Sequence, residues 1–135
     1  MSAAQKPLPR PTETSRPFWE GCRIGELRLQ HCRECNGVQF PPRRHCALCL
    51  GTALVHQRAS GHGRIRSWSV VRHPLGEAFA GEVPYPVALI ELDEGPTMMA
   101  TVRECPIESL AIGLRVRVVF EARSEDISVP CFRLL

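Results

Sequence analysis

Cys32-Arg-Glu-Cys35 and Cys46-Ala-Leu-Cys49 are two copies of one pattern, ten residues apart in this 135-residue chain. A Cys-x-x-Cys turn points both of its thiolates at one centre. Two such turns therefore offer four sulfur ligands, the closed tetrahedral set of a structural zinc ion. Two disulfides or four unrelated thiols are the alternative interpretations, and the close pairing of the cysteines disfavours both. The spacing predicts a structural Zn²⁺ held by Cys32, Cys35, Cys46 and Cys49.

The chain between the two turns is short and extended. The segment Phe40-Pro-Pro-Arg43 contains two prolines, which lack an amide donor and bias the preceding residue away from helix. We expect Gly37 to supply the positive φ that tightens the first turn. Extended chain between paired Cys-x-x-Cys turns is typical of a zinc ribbon, which we expect over residues 27–58.

Length and composition narrow the class of protein. The chain is long enough for one ordinary domain or two very small ones, and a ribbon alone cannot bury a core. The first residues lack the apolar stretch of a secretory signal, and no apolar run approaches membrane-spanning length. We therefore expect a cytoplasmic protein that crosses no membrane. Three of the seven cysteines remain after the metal ligands, and we expect them to be buried small hydrophobes: Cys22, Cys105 and Cys131.

Charge is unevenly distributed along the chain. The formal net charge is +3, and residues 35–76 contain six arginines and no Asp or Glu. Residues 77–126 contain ten acids and four arginines. A positive stretch is suited to phosphates or to an acidic protein surface, but its arginines can equally offset an anionic zinc site. The sequence leaves both interpretations open.

The N-terminal part divides into a tail and a helical segment. Prolines interrupt any helical pattern in residues 1–15, which predicts a disordered tail. Ser15 as a cap, with proline in the first turn, predicts a helical segment over residues 16–26. Phe18, Trp19, Cys22 and Ile24 are expected to form its apolar side. The Phe18–Trp19 pair serves either as an anchor for another protein or as packing within the chain.

From residue 59 onward the pattern is that of short β-strands. Three predicted strands are followed by a single helical turn, with proline at its first position, and then by two more strands. This is the element order of an OB-fold, a five-stranded Greek-key barrel, which we expect over residues 59–135. An SH3-like barrel also has short strands and is the alternative. The expected fold class is mainly β: a short N-terminal helix, a zinc ribbon and a C-terminal five-stranded OB-fold barrel.

Catalytic motifs are missing from the sequence. It contains no Gly-x-Ser-x-Gly, no Gly-rich phosphate loop and no His-Glu-x-x-His. A catalytic zinc needs an open coordination position, which four cysteines close. Cys105 and Cys131 lack the basic neighbours that activate a thiol. We therefore expect no enzymatic activity from the chain alone.

Five blocks, in one order over residues 17–134, resemble the zinc-ribbon/OB-fold family long known as a domain of unknown function, also called the acyl-CoA-associated OB-fold family. The blocks are Pro17-Phe-Trp-x-Gly21, Leu29-Gln-x-Cys-x-x-Cys-x-Gly-x-x-Phe-Pro-Pro-Arg-x-x-Cys-x-x-Cys49, Gly61-x-Gly-x-Ile-x-Ser-Trp68, Tyr85-Pro-Val-Ala-Leu-Ile-Glu-Leu-Asp-Glu-Gly95 and Gly113-x-x-Val-x-Val-x-Phe120. The resemblance implies an N-terminal helical segment, a rubredoxin-like zinc ribbon and an OB-fold.

The resemblance also implies a function. Members of this family resemble small accessory subunits of thiolase-superfamily enzymes: thiolases, acyltransferases and aldolases that act on acyl-CoA esters. The large partner holds the catalytic residues, and a hetero-oligomer of two large and two small subunits is implied. On this resemblance the candidate partner-binding residues are Phe18 and Trp19. Arginine suits bidentate phosphate contacts, and the candidate residues for binding CoA or another anion are Arg43, Arg64, Arg66 and His73.

A nucleic-acid-binding module is the alternative function, because zinc ribbons and OB-folds both serve that role in other proteins. Binding of single strands needs exposed aromatic side chains along a basic groove. Aromatic residues are 6% of this chain, and the later strands are acidic. We therefore expect an acyl-CoA enzyme subunit rather than a single-stranded nucleic-acid-binding OB-fold.

Overall fold

A computed structural model describes residues 5–135 of the protein. One helix and eight strands follow one another in the order α1 (Arg16–Arg23), β1 (Arg28–Cys32), β2 (Val38–Gln39), β3 (Leu54–Arg58), β4 (His62–Val71), β5 (Tyr85–Leu92), β6 (Thr97–Thr101), β7 (Arg115–Ala122) and β8 (Ser128–Leu134). Two short 3₁₀ turns are present, Glu77–Phe79 and Ile107–Ser109. The predicted fold class, mainly β with a short helix, a ribbon and a five-stranded barrel, is confirmed.

Helix α1 is preceded by Ser15 and followed by a left-handed glycine, Gly25. Ser15 occupies the N-cap position, as predicted, but its hydroxyl makes no capping hydrogen bond to the helix and instead accepts one from the Thr12 N–H at 2.9 Å. At the other end, Gly25 has φ 84°. The Glu26 N–H donates to the Gly21 carbonyl at 2.8 Å and the Gly25 N–H to the Cys22 carbonyl at 3.3 Å, the bonds of a Schellman motif.

The ribbon is a three-stranded antiparallel sheet in the order β2-β1-β3. Strand β1 is central and pairs Gln30 with Gln39 on one side and with His56 on the other. The ribbon is too small to enclose a core of its own. Its inner residues Leu27 and Leu29 instead join the same buried cluster as the barrel interior.

The barrel sheet has the order β6-β5-β4-β7-β8, with the 3₁₀ turn Ile107–Ser109 between its third and fourth strands. A bridge between Val102 and Phe132 and a 2.7 Å hydrogen bond from the Arg103 N–H to the Phe132 carbonyl bring its two edges together. Alternating residues point inward, as expected for a barrel that is filled by side chains. The largest fully buried side chains are Phe132, Leu27, Leu29, Ile65, Ile90, Leu92, Val102 and Val116.

Close approach between β4 and β5 depends on a glycine. A Cβ built on Gly63 would meet the Glu91 carbonyl oxygen at 2.6 Å, so a side chain here would force the strands apart. Farther along β4 the register shifts between Ile65 and Ser67, which makes Arg66 the extra residue of a bulge. The bulge changes which residues of β4 face the interior.

The N-terminal segment lies against the barrel over the part that is described. Lys6 forms an ion pair with Glu82, and its Nζ lies 5.5 Å from the ring centroid of Phe79. The Arg16 N–H bonds to the Thr12 carbonyl at 2.8 Å. The predicted disordered tail covered residues 1–15, of which residues 1–4 lie outside the described residues.

No helix among the described residues is both long enough and apolar enough to cross a membrane.

Candidate functional site

The two Cys-x-x-Cys turns place their four thiols together. Cys32 ends strand β1 and Cys35 follows in the first turn, while Cys46 and Cys49 come from the loop before β3. All four Sγ atoms lie within 4.8 Å of one another; the Cys35–Cys46 pair is 3.5 Å apart and the Cys32–Cys49 pair 3.6 Å. Sulfurs at about 2.3 Å from a tetrahedral Zn²⁺ are separated by about 3.8 Å. The donor set and its spacing therefore fit a tetrahedral metal ion.

Backbone N–H groups point at the sulfurs of the second turn. The Leu48 N–H donates to Cys46 Sγ and the Gly51 N–H to Cys49 Sγ, each at 3.4 Å. Backbone N–H groups of Cys49 and Leu48 lower the pKa of the Cys46 thiol to about 7. Because thiolate is the form that binds metals, this backbone arrangement favours ligation by Cys46. At Cys49 the Gly51 N–H also lowers the pKa, but the neighbouring thiols, that of Cys32 foremost, and desolvation together outweigh it, so the pKa is raised to about 12.

The positive φ in each turn belongs to the residue directly after the second cysteine. In the first turn this residue is Asn36 at φ 62°, so the expectation for Gly37 was wrong. A Cβ at Gly37 would lie 2.7 Å from Leu48 Cδ1 and 3.2 Å from Cys35 Sγ, so a side chain there would force the exposed Leu48 side chain to move. The glycine thus lets the two turns pack closely. In the second turn the left-handed residue is Leu50 at φ 64°.

Two glutamines on paired strands hold the loop that carries the second pair of cysteines. Gln30, only 4% exposed, accepts a hydrogen bond from the Arg43 N–H at 2.8 Å and donates to the Arg43 carbonyl at 2.9 Å. Gln39 donates to Gln30 Oε1 at 2.7 Å and to the His45 carbonyl at 3.2 Å, and it accepts from the Ala47 N–H at 2.7 Å. The second turn is therefore positioned by bonds that involve no metal. The motif Leu-Gln before the first cysteine was the only signal for this role.

The three other cysteines are not activated thiols. Cys22 and Cys131 are buried, as predicted, whereas Cys105 is only half-buried and its S–H donates to the Pro106 carbonyl at 3.3 Å. Burial raises the pKa of Cys22 to about 12 and also raises the pKa values of Cys105 and Cys131. Nucleophilic catalysis needs the opposite shift.

The aromatic pair on helix α1 is divided between core and surface. Phe18 is 3% exposed, and its ring centroid lies 5.0 Å from that of Trp19 and 5.4 Å from that of Phe40. Its ring therefore belongs to the core. Trp19 is half-buried and lines a shallow surface depression with Arg16 and Arg23, so it retains a face that another protein can contact.

The four candidate anion-binding residues lie in two different sheets. Arg43 is exposed on the ribbon, where it lines an open cleft of about 520 Å³. Arg64 and Arg66 are exposed on β4, and His73 lies just beyond the end of that strand. Arg64 forms a 2.8 Å ion pair with Glu91, and Arg66 approaches the Thr97 hydroxyl at 3.5 Å. Among the described residues, no hydrogen bond joins the four into one cluster.

The charge segregation along the sequence is partly cancelled in space. Strands β4 and β5 are neighbours, so Arg64 of the basic stretch meets Glu91 of the acidic one. Within the acidic stretch, Arg115 binds Asp93 through two bonds of 2.7 and 2.9 Å, which hold the pKa of that carboxyl below its usual value. The barrel face therefore carries paired charges.

A ribbon with four converging cysteines, joined to a small five-stranded barrel, defines a zinc-ribbon/OB-fold protein. Residues 19–55 match the family described as ChsH2, rubredoxin-like zinc ribbon domain, and residues 56–121 match ChsH2, C-terminal OB-fold domain. A DUF35 domain-containing scaffold protein of Methanothermobacter thermautotrophicus is 34% identical over 116 residues, which are 85% of this chain and 86% of that protein. The chain therefore belongs to the DUF35 family of ChsH2-like zinc-ribbon/OB-fold proteins.

Two other relatives carry enzyme names. A probable enoyl-CoA hydratase alpha subunit of Thermomonospora curvata is 31% identical over 134 residues, which are 96% of this chain but 41% of that protein. The solved structure named Ltp2-ChsH2(DUF35) aldolase superposes with a TM-score of 0.84 at 28% identity, covering 93% of this chain and 98% of the matched chain. The likeness therefore extends over the ribbon and the barrel together.

We predict that Gln30→Leu lowers the free energy of unfolding by about 1–3 kcal/mol, because it leaves the N–H and C=O of Arg43 without their partner. Urea unfolding of the full chain measures this. The matched control is Gln57→Leu on the exposed side of β3, expected to stay within about 0.5 kcal/mol of wild type. Equal stability of the two variants would contradict the role given to Gln30.

Proposed function

We propose that this chain is a non-catalytic accessory subunit that binds and supports a thiolase-superfamily enzyme, a thiolase, acyltransferase or aldolase, acting on acyl-CoA esters. The observation that carries the proposal is the fold likeness, over nearly the whole chain, to the ChsH2(DUF35) component named in an aldolase together with Ltp2. The thiolase class of the partner and the CoA ester come from the family resemblance of the sequence.

The chemistry of the side chains supports an accessory role. Four converging thiols leave no open coordination position for a substrate on a tetrahedral metal. The remaining thiols have raised pKa values and are poor nucleophiles. Relatives of similar length carry the name scaffold protein. We therefore infer that a partner enzyme supplies the catalytic groups of the complex.

We also propose a structural Zn²⁺ held by Cys32, Cys35, Cys46 and Cys49. When bound, the ion cross-links the two turns and contributes folding free energy, since a ribbon of this size has little core of its own. The supporting observation is the spacing of the four sulfur atoms, which lie within 4.8 Å of one another.

Contact with a CoA ester is a further part of the proposal. Arg66 and His73 are exposed, and Arg66 is the outward residue of the β4 bulge. Arg64 is held by Glu91, so an anion would have to displace or share that partner. Arg43 lies on the ribbon, whereas the other three candidate residues lie on the barrel. Arg43 would therefore contact the CoA ester only if the partner enzyme holds the ester against the ribbon.

The nucleic-acid alternative has weaker support. Stacking of successive bases needs several exposed aromatic rings. Among the described barrel residues, Trp68 is the aromatic side chain that is exposed; Phe79, Tyr85 and Phe120 are half-buried and Phe132 is fully buried. The paired charges on the barrel face also lower its attraction for phosphates.

We predict close to one zinc per purified chain by elemental analysis. Cys35→Ser should lose the metal and unfold the ribbon, because metal binding supplies folding free energy in so small a unit. Cys105→Ser is the matched control and should keep its zinc, since its thiol lies outside the four-cysteine cluster. A folded ribbon without metal in the wild-type chain would end this proposal.

We predict that the chain co-purifies from its native organism with a thiolase-superfamily enzyme whose activity or solubility depends on it. The isolated chain should show no turnover of acyl-CoA substrates. Trp19→Ala should weaken the association by about 2 kcal/mol or more if the indole is an interface anchor. Thermal unfolding of the free variant is the control that separates lost contact from lost fold. Recovery of the chain on its own, with the enzyme fully active in its absence, would refute the accessory role.

We predict that Arg66→Glu raises the KM of the assembled enzyme for its CoA ester, because a carboxylate repels the CoA phosphates, whereas Arg66→Lys keeps most of the affinity. Steady-state kinetics of the complex measure this effect. Arg133→Glu is the charge-matched control on β8, where Arg133 is paired with Glu104. Equal KM values for both glutamate variants would remove Arg66 from the CoA site.

A further inference from the structure

The loop between β4 and β5, residues 72–84, has no backbone attachment to the rest of the described chain. The backbone hydrogen bonds that it makes, donated by Phe79, Ala80 and Glu82, are accepted within the loop, and none joins it to any other part of residues 5–135. Leu75 in this loop is 83% exposed. Segments with few backbone bonds and much exposed surface open at low free energy, so side chains must hold the loop in place.

Glu82 is the residue through which the loop is attached. Its carboxylate forms one ion pair with Lys6 and another with Arg103, whose Nη1 lies 3.0 Å from Glu82 Oε1. The Nζ of Lys6 also lies 5.5 Å from the ring centroid of Phe79, a cation–π contact with the same loop. Within residues 5–135, every ion pair between the loop and the rest of the protein involves Glu82. One carboxylate therefore makes the ionic attachment of the whole loop.

Arg103 is the fixed partner of Glu82. Its N–H donates to the Phe132 carbonyl on β8 at 2.7 Å, and its Nη2 donates to Glu121 Oε1 on β7 at 3.2 Å. Arg103 is therefore anchored to two strands of the barrel. Burial alone would raise the pKa of the Glu82 carboxyl, but Lys6 and Arg103 outweigh it and hold the pKa below its ordinary value. The carboxylate is therefore charged at neutral pH.

Lys6 is the second partner, and it lies on a segment that is attached as weakly as the loop. Residues 5–11 make no backbone hydrogen bond with any of the described residues. The Lys6 ammonium contacts Glu82 and Phe79, so the segment and the loop hold each other. Lys6, Glu82 and Arg103 line one open cleft of about 710 Å³ at this contact.

We propose that these contacts form an ionic latch: Glu82 holds the loop 72–84 against the barrel by binding Arg103 on one side and Lys6 on the other, and displacement of the N-terminal segment loosens the loop. The latch sets the positions of the exposed loop side chains Arg72, His73 and Leu75. It requires neither the accessory role nor a metal ion, so its test is independent of both.

The test measures amide hydrogen exchange in the full-length chain by mass spectrometry, over peptides that cover residues 72–84. Lys6→Met removes one ion pair, and the loop should exchange about twofold to fivefold faster than in wild type, the change expected for one partly exposed pair. Glu82→Gln loses both ion pairs and should exchange faster still. Lys6→Arg keeps the positive charge and should stay near the wild-type rate.

The double variant of Lys6→Met with Glu82→Gln shows whether Lys6 acts through Glu82. Substitutions that remove the same contact are not additive, so the double variant should exchange at close to the rate of Glu82→Gln alone. Additive acceleration would overturn the latch, because Lys6 would then hold the loop by another route.

Glu77→Gln is the matched control, because Glu77 is an exposed carboxylate of the same loop that belongs to no ion pair within residues 5–135. It should exchange as wild type does. Acceleration equal to that of Glu82→Gln would assign the effect to the charge of the loop in general and would overturn the latch.

Wild-type exchange in Lys6→Met or in Glu82→Gln also overturns the latch. Equal acceleration in peptides of β4 and β7 does the same, since the barrel rather than the loop would then be opening. Lys6 lies outside the barrel sheet, so Lys6→Met decides the matter even if Glu82→Gln lowers the stability of the fold.

Discussion

Two short turns must bring four thiol sulfurs within 4.8 Å of one another, and the ribbon is built around this requirement. Each turn needs a residue in the left-handed conformation, Asn36 in one and Leu50 in the other. Gly37 has no side chain and so leaves room for the neighbouring, exposed Leu48 side chain. The constraint extends beyond the turns, because β1 ends in Cys32 and its Leu29, like Leu27 just before the strand, lies in the core shared with the barrel.

The ribbon does not rely on its cysteines alone. Gln30 and Gln39 satisfy the backbone of the loop before and after Cys46, and Gln30 does so from a buried position where an unmatched polar group would be costly. The second turn is therefore partly ordered before a metal ion binds. Such preorganisation lowers the conformational entropy that ligation must overcome.

The outer face of the barrel carries paired charges, and this affects what the barrel can bind. Strand β4 of the basic stretch pairs with strand β5 of the acidic stretch. Arg64 and Glu91 therefore neutralise each other on the outer face of the barrel. A surface with paired charges is poorly suited to polyanions and better suited to specific contacts with a folded protein. Burial raises the pKa values of the Cys22 and Cys131 thiols, so neither of these two is an activated nucleophile.

By itself, the sequence determined the ribbon, the barrel and the four converging cysteines, because local spacing, proline positions and strand periodicity encode them directly. It also predicted burial of Cys22 and Cys131. It did not determine that Phe18 lies in the core, that Asn36 carries the positive φ, or that the two glutamines hold the second turn. Those features arise from contacts between residues distant in the chain, such as Phe18 with Phe40 and Gln30 with Arg43. Only the tertiary structure decides such contacts, because sequence periodicity shows which face of an element is apolar but not which neighbour covers it.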